Sequence, residues 1–298
     1  MVANQIKTVL LLGVLTSLIL LLGSVLGGTT GLHLALIMAI VINGIAYFFS
    51  DKIVLRMYGA QPLSEKEHSD IYQTVHQLAG IMHLPMPKLW FIDSPIANAF
   101  ATGRNPAHAS IAVTRGILSV LDPAELRGVL AHELGHVKNR DILITTIAAI
   151  LASAVGYLAY MIRNMAWRQS YSSNKRNNNN PFLLFIISLF VPFIATLIQL
   201  AISRSREYLA DETGAQETKD PLSLASALKK LEYNAQHANA NYTDARHASM
   251  AALFIVRPCA QERFNWAHLF ATHPPIHKRV ARLEEIHKKL FSYQTARW

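Results

Sequence analysis

Four stretches of this 298-residue chain carry no Lys, Arg, Asp or Glu, and they limit its possible folds more than any other feature. Val9–Leu26 is 18 residues long, and Leu32–Phe49 follows after the small-residue turn Gly27-Gly28-Thr29-Thr30-Gly31. Ile142–Ile162 and Phe182–Ile202 are 21 residues each. A helix of about 20 apolar residues crosses the hydrocarbon core of a bilayer. A secretory h-region is shorter, roughly 7–15 residues, and ends at a cleavage site. The first pair therefore reads as a membrane hairpin rather than a cleaved leader. The second pair reads as another hairpin, with Pro192 as a kink that neighbouring helices tolerate. The intervening 163–180 segment is polar and Asn-rich.

Elsewhere the chain resembles an ordinary soluble protein. Only 16% of all residues are charged, against about 25% in soluble domains. The net charge of +9 does not point to nucleic acid, because residues 50–141 carry nine basic and nine acidic residues. The excess lies in 163–180, in 203–298 and at Lys7, with no dense basic stripe. Lipid headgroups suit that distribution better than DNA. A single cysteine, Cys259, excludes an intramolecular disulfide. Near the spans, eight basic residues flank the side that holds 50–141 and 203–298, against four on the other side. The expected orientation is therefore cytoplasmic for the polar segments, with the 163–180 loop as the opposing vote.

The polar segments are expected to be helix-rich. Ser64-Glu65-Lys66-Glu67 has the form of a capping box that opens a helix bearing Ile71, Val75, Leu78 and Met82. Lys88–Ile92, Asn98–Thr102 and Ser110–Thr114 read as short strands. Asp220-Pro221 starts another helix, and a last one follows Pro274-Pro275 to about Leu290.

Asp122-Pro123-Ala124-Glu125 is a strong helix start, and His132-Glu133-Leu134-Gly135-His136 follows on the same helix. Residues i and i+4 share a face, so both imidazoles can reach one ion, for which tetrahedral Zn²⁺ is suited. Glu133 falls beside that ion, placed to deprotonate water. Directly after the fourth apolar run, Glu207 and Asp211 lie one helical turn apart. Glu207 can complete the protein ligands, and Asp211 can accept the N–H of a ligand histidine. His136 stands six residues before the third run and Glu207 five after the fourth. Both are thus expected within about 10 Å of the bilayer edge.

These motifs, with Asn98-Ala99-Phe100-Ala101 and Thr272-His273-Pro274, resemble the HtpX family of bacterial membrane metalloproteases, relatives of the CAAX prenyl endopeptidases. The resemblance spans nearly the whole chain. It implies one zinc per chain held by His132, His136 and Glu207, with Glu133 as catalytic base. It also implies ATP-independent degradation of misfolded or damaged membrane proteins. Lesser candidates are Asn98, at a strand that could pair with extended substrate, and His273, as an oxyanion donor. Arg279 could pair with an acidic site residue or belong to a solvated basic face.

The expected fold is mainly α: an integral membrane protein with four transmembrane helices and a zincin-like, α-rich catalytic domain carrying a small β-sheet. Its parts are a hairpin (1–50), a catalytic segment (51–141), a second hairpin (142–202) and a second catalytic segment (203–298). The expected partners are peptide or protein substrates and the lipid bilayer, at a bacterial inner membrane. A CAAX-type processing protease, an aminopeptidase, and an inactive scaffold or transporter remain the alternatives. In a transporter the His and Glu residues belong inside apolar runs, and here they lie outside.

Overall fold

The structure is a computed structural model that describes residues 2–147, 204–237 and 274–295. The 163–180 loop, the fourth apolar run, most of the third, residues 238–270 and His273 lie outside the described residues.

Helix α1 (Val2–Phe48) reverses at Gly28, where φ is 57° and ψ −139°, a conformation open only to glycine. The two arms then run side by side. Asn43 Nδ2 donates to Thr16 Oγ1 across them at 2.6 Å. A Cβ on Gly23 would collide with the carbonyl of Gly31 and with Ala35, so small residues set the close approach. Within this hairpin, Gly27–Phe48 is long and apolar enough to cross a bilayer. Leu34, Ile37, Met38 and Ile40 on it are more than half exposed, as lipid-facing side chains are.

After Phe49 the chain continues as α2 (Ser50–Met57), whose Val54 and Leu55 are buried on one face of a small sheet with Ile92, Phe100 and Ala112. The strands are β1 (Gln61–Pro62), β2 (Lys88–Ile92), β3 (Ala99–Gly103) and β4 (Ala109–Thr114), in the order β1-β2-β4-β3. β2 and β4 are parallel; the other two pairings are antiparallel. β3 is therefore an edge strand among the described residues. On the opposite sheet face a larger core joins Ile71, Val75 and Leu78 of α3 (Ser69–Ile81) to Val129, Leu130 and Leu134 of α5 (Pro123–Lys138). α4 (Arg115–Val120) links β4 to α5. Leu224, Leu228 and Leu231 of α7 (Pro221–His237) and Leu283 of α8 (Ile276–Thr295) complete that core.

One expected start is corrected. Ser64–Glu67 does not cap a helix; α3 begins at Ser69, with His68 at its N-cap. Leu63 N–H is bonded to the Leu89 carbonyl and Tyr72 Oη to the Leu63 carbonyl. Residue 63 is thereby tied to the sheet, and the chain needs the 64–68 turn before its apolar face can meet the core. β1, α2 and α4 had no clear sequence signal: each is short, and tertiary contacts decide it.

The site depends on how α5 meets α6 (Arg204–Thr218). A Cβ on Gly135 would lie 2.9 Å from the Ala210 carbonyl oxygen, and one on Gly214 would lie 3.0 Å from His132 N. The helices cross backbone to backbone, which brings α6 side chains to the α5 histidines. Gly135→Ala is expected to lower both the melting temperature and zinc retention, despite alanine's higher helix propensity. Gly80→Ala, in α3 with nothing within 4 Å of the new methyl, should instead stabilise by about 0.5–1 kcal/mol. Thermal melts of both variants, with zinc quantification, check the pair.

Candidate metal centre

α5 is aligned by a reciprocal N-terminal cap. Asp122 Oδ1 accepts from Glu125 N at 2.9 Å, and Glu125 Oε2 accepts from Asp122 N at 3.0 Å. Glu125 also receives Lys230 Nζ and Ser226 Oγ, both at 2.7 Å, so α7 is fastened to the same end. Beyond the cap, every residue from Gly128 to Val137 is buried. The His-Glu-x-x-His segment is therefore no solvated polar face.

His132 and His136 turn their Nε2 atoms towards each other, 3.2 Å apart. Glu207 lies across from both, with Oε2 3.7 Å from His132 Nε2 and Oε1 3.6 Å from His136 Nε2. One ligand atom from each of the three residues lies within 4.8 Å of the others. The other ring nitrogens face carboxylates: His132 Nδ1 is 2.9 Å from Asp211, and His136 Nδ1 is 3.2 Å from each oxygen of Asp141. If each Nδ1–H donates to its carboxylate, both Nε2 atoms present lone pairs. Two lone pairs that close suit a cation between them. Tetrahedral Zn²⁺ with nitrogens at 2.0–2.1 Å would hold them about 3.3 Å apart.

Charge points the same way. The buried groups around this point are Glu133, Asp141, Glu207 and Asp211 against Arg206 and Arg279. With neutral imidazoles, four carboxylates and two guanidiniums leave two negative charges among the described residues, which one divalent ion would balance. Burial alone would lower the pKa of His136, but Asp141, Glu207 and Glu133 outweigh it and push the value up to about 10. The same field that holds a proton there attracts a metal ion.

Glu133 does not face the two nitrogens as a third ligand. Its Oε2 accepts from the backbone N–H of Ala101 at 2.7 Å, on the side of β3 away from β4. Burial raises its pKa, opposed by the two histidines; a carboxylate shifted upward is a better base. Burial also works against the charge of Asp211, yet Arg279 more than offsets it and holds that carboxyl well below its usual range. Arg279 is fully buried and grips Asp211 with Nε to Oδ2 at 2.8 Å and Nη2 to Oδ1 at 2.6 Å. Its Nη1 is 3.7 Å from Glu207. The solvated-face reading of Arg279 is thus corrected: α8 packs against α6 and buries it. Asn98 is buried and tied to β4, donating its N–H to Thr114 Oγ1 and accepting from Thr114 N.

Sequence reasoning missed Asp141 and Arg206. Asp141 is placed by the way its helix ends. α5 ends with Arg140 at φ 55°, Arg140 N bonded to Val137 O and Asp141 N to His136 O. This termination returns the residue two beyond the cap onto the last turn, so Asp five positions after His136 lands on that imidazole.

A His-Glu-x-x-His helix, a carboxylate from a second helix, and the Glu133 carboxylate bonded to a sheet strand match one class: a metal-dependent peptide hydrolase. Residues 65–287 match peptidase family M48, and the chain belongs to that family of metalloproteases. A "Protease HtpX homolog" of Sulfurihydrogenibium sp. (strain YO3AOP1) is 47% identical over 295 residues, covering 97% of this chain and 98% of the relative. One from Syntrophobacter fumaroxidans is 47% identical over 288 residues, covering 95% and 99%. The crystal structure of S. mikatae Ste24p superposes with a TM-score of 0.51 at 19% identity, covering 95% of this chain and 66% of that one. That likeness speaks to the fold alone.

Proposed function

We propose that this chain is a membrane-bound zinc endopeptidase in which His132, His136 and Glu207 hold the metal and Glu133 is the catalytic base. The observation that carries it is the pair of Nε2 atoms 3.2 Å apart, each ring backed by a carboxylate at Nδ1. Bound zinc supplies a Lewis acid that polarises the scissile carbonyl and acidifies water. Glu133 takes the proton and returns it to the departing amine. Asp211 and Asp141 fix the imidazole tautomers and keep both rings aimed at the ion.

β3 offers the substrate a template. Asn98 exchanges hydrogen bonds with Thr114, so alternation turns the backbone groups of Ala99 and Ala101 to the open edge. With the Ala101 N–H taken by Glu133, an extended peptide can add as a strand through the remaining groups of that edge, beside a base that Ala101 itself positions. Such backbone recognition suits endopeptidase action and broad sequence tolerance, the properties wanted for clearing misfolded or damaged membrane proteins without ATP. Asp141 directly precedes helical residues 142–147 at the start of the third apolar run, and α2 joins the N-terminal hairpin to the sheet. Both connections support a site held at a bacterial inner membrane by a multi-pass chain, and the excess of Lys and Arg beside the spans on the side of the polar segments favours its cytoplasmic face.

The test is zinc quantification with a cleavage assay in detergent, on peptides blocked at both ends and on their free counterparts. We expect one zinc per chain, loss of cleavage on chelation, recovery with zinc, and full activity on blocked peptides. Cleavage confined to peptides with a free amino terminus would make the enzyme an aminopeptidase.

A further inference from the structure

Next to Glu207 on α6 lies a buried charge that the mechanism above does not use. Arg206 is 4% exposed, and among the described residues neither of its terminal nitrogens has a hydrogen-bond partner. Arg206 directly precedes Glu207 on α6, so its guanidinium is tethered beside that carboxylate; burial works against its charge, and the carboxylates of Asp141 and Glu207 act in the opposite sense. Asn139 Nδ2 reaches Thr213 Oγ1 at 3.3 Å, so the C-terminal end of α5 and α6 are in contact alongside. The contrast with the other half of the site is direct. There the guanidinium of Arg279 is hydrogen-bonded twice to Asp211, which backs His132. Asp141 backs His136 with no such bond from Arg206.

A buried guanidinium without acceptors is costly, and retaining one calls for an explanation. Hydrogen bonds to Asp141 would draw the carboxylate away from His136. A cation held nearby but unbonded leaves that alignment intact and acts only through its field. We propose that Arg206 is the charge partner of the metal centre: it offsets Asp141 and Glu207 and holds zinc affinity below what the carboxylates alone would produce. It is a positioning residue that sets the electrostatic balance of the site. The inference rests on the zinc reading above.

The experiment uses the full chain in detergent and compares wild type with Arg206→Gln and Arg206→Lys. Zinc affinity is read by competition with a chelator, and thermal melts are taken with and without zinc. Removing a positive charge near a divalent ion in a low-dielectric site should tighten zinc by about tenfold or more. Arg206→Gln should also destabilise the zinc-free protein more than the loaded one, widening the gap between the two melting temperatures. kcat should fall with KM little changed, because a more negative site polarises a carbonyl less. Arg206→Lys should restore both affinity and gap. A packing role would lower both melts together and leave the gap unchanged, and that result, or zinc bound no more tightly in Arg206→Gln, overturns the proposal. If the zinc-free variant does not fold, the release rate of zinc from the loaded variant into excess chelator decides: slower than wild type supports the inference, equal or faster sinks it. Failure of wild type to bind zinc would instead remove the functional reading itself.

Discussion

Glu133→Gln is expected to keep its zinc and lose peptide hydrolysis by about a thousandfold or more. General acid–base catalysis contributes roughly 10²–10⁴ in rate, and in the proposed mechanism one side chain both takes and returns the proton. The amide is nearly isosteric and can still accept from Ala101 N–H through its carbonyl oxygen, so β3 and α5 keep their spacing. Glu133 is also not among the atoms that converge on the metal position. Zinc content, melting temperature and circular dichroism should therefore match wild type while kcat collapses. A variant purified free of other proteases that still cleaved casein at the wild-type rate would remove Glu133 from the mechanism.

Glu207→Ala should fail earlier in the sequence of events, at metal binding. It removes a proposed ligand and one of the four buried carboxylates around the site, leaving two imidazoles whose lone pairs face each other. Zinc affinity should drop by roughly three orders of magnitude or more, on the view that the ligands are worth many kcal/mol together. Activity should fall with it and return only in part at high zinc. Asp141→Asn and Asp211→Asn bracket the effect. Each leaves the ligands in place and loosens one imidazole, a change typically worth 10–100-fold in metal affinity. If Glu207→Ala bound zinc as wild type does, the third ligand would lie elsewhere. Chelator competition on these variants, with Glu133→Gln as the control, separates metal binding from chemistry.

Much of this protein was legible without coordinates because its strongest signals are local. An i,i+4 histidine pair lies on one helix face whatever surrounds it, and Asp122-Pro123-Ala124-Glu125 starts a helix by capping chemistry within four residues. The reversal at Gly28 was equally plain, since a run of small residues between two apolar stretches has few other uses. Strands β2, β3 and β4 fall within one residue of their expected limits, owing to flanking turn residues. The start of α3 did not, because the hydrogen bonds that tie Leu63 to the sheet are not written near Ser64.

What only the tertiary structure decided is which distant groups share the buried space. The positions of Gly135, Ala210 and Gly214 could be read from the chain, but not that they pack α5 on α6 at backbone distance. That contact carries Glu207 to the histidines. Arg279, ambiguous on its own helix, became a buried partner of Asp211 only once α8 closed over α6. Asp141 and Arg206 gained meaning from the helix ending at Arg140 and from the low dielectric around them. Local sequence determines propensity and face. The strength of a charge depends on what has been excluded from around it, and that is a property of the folded interior.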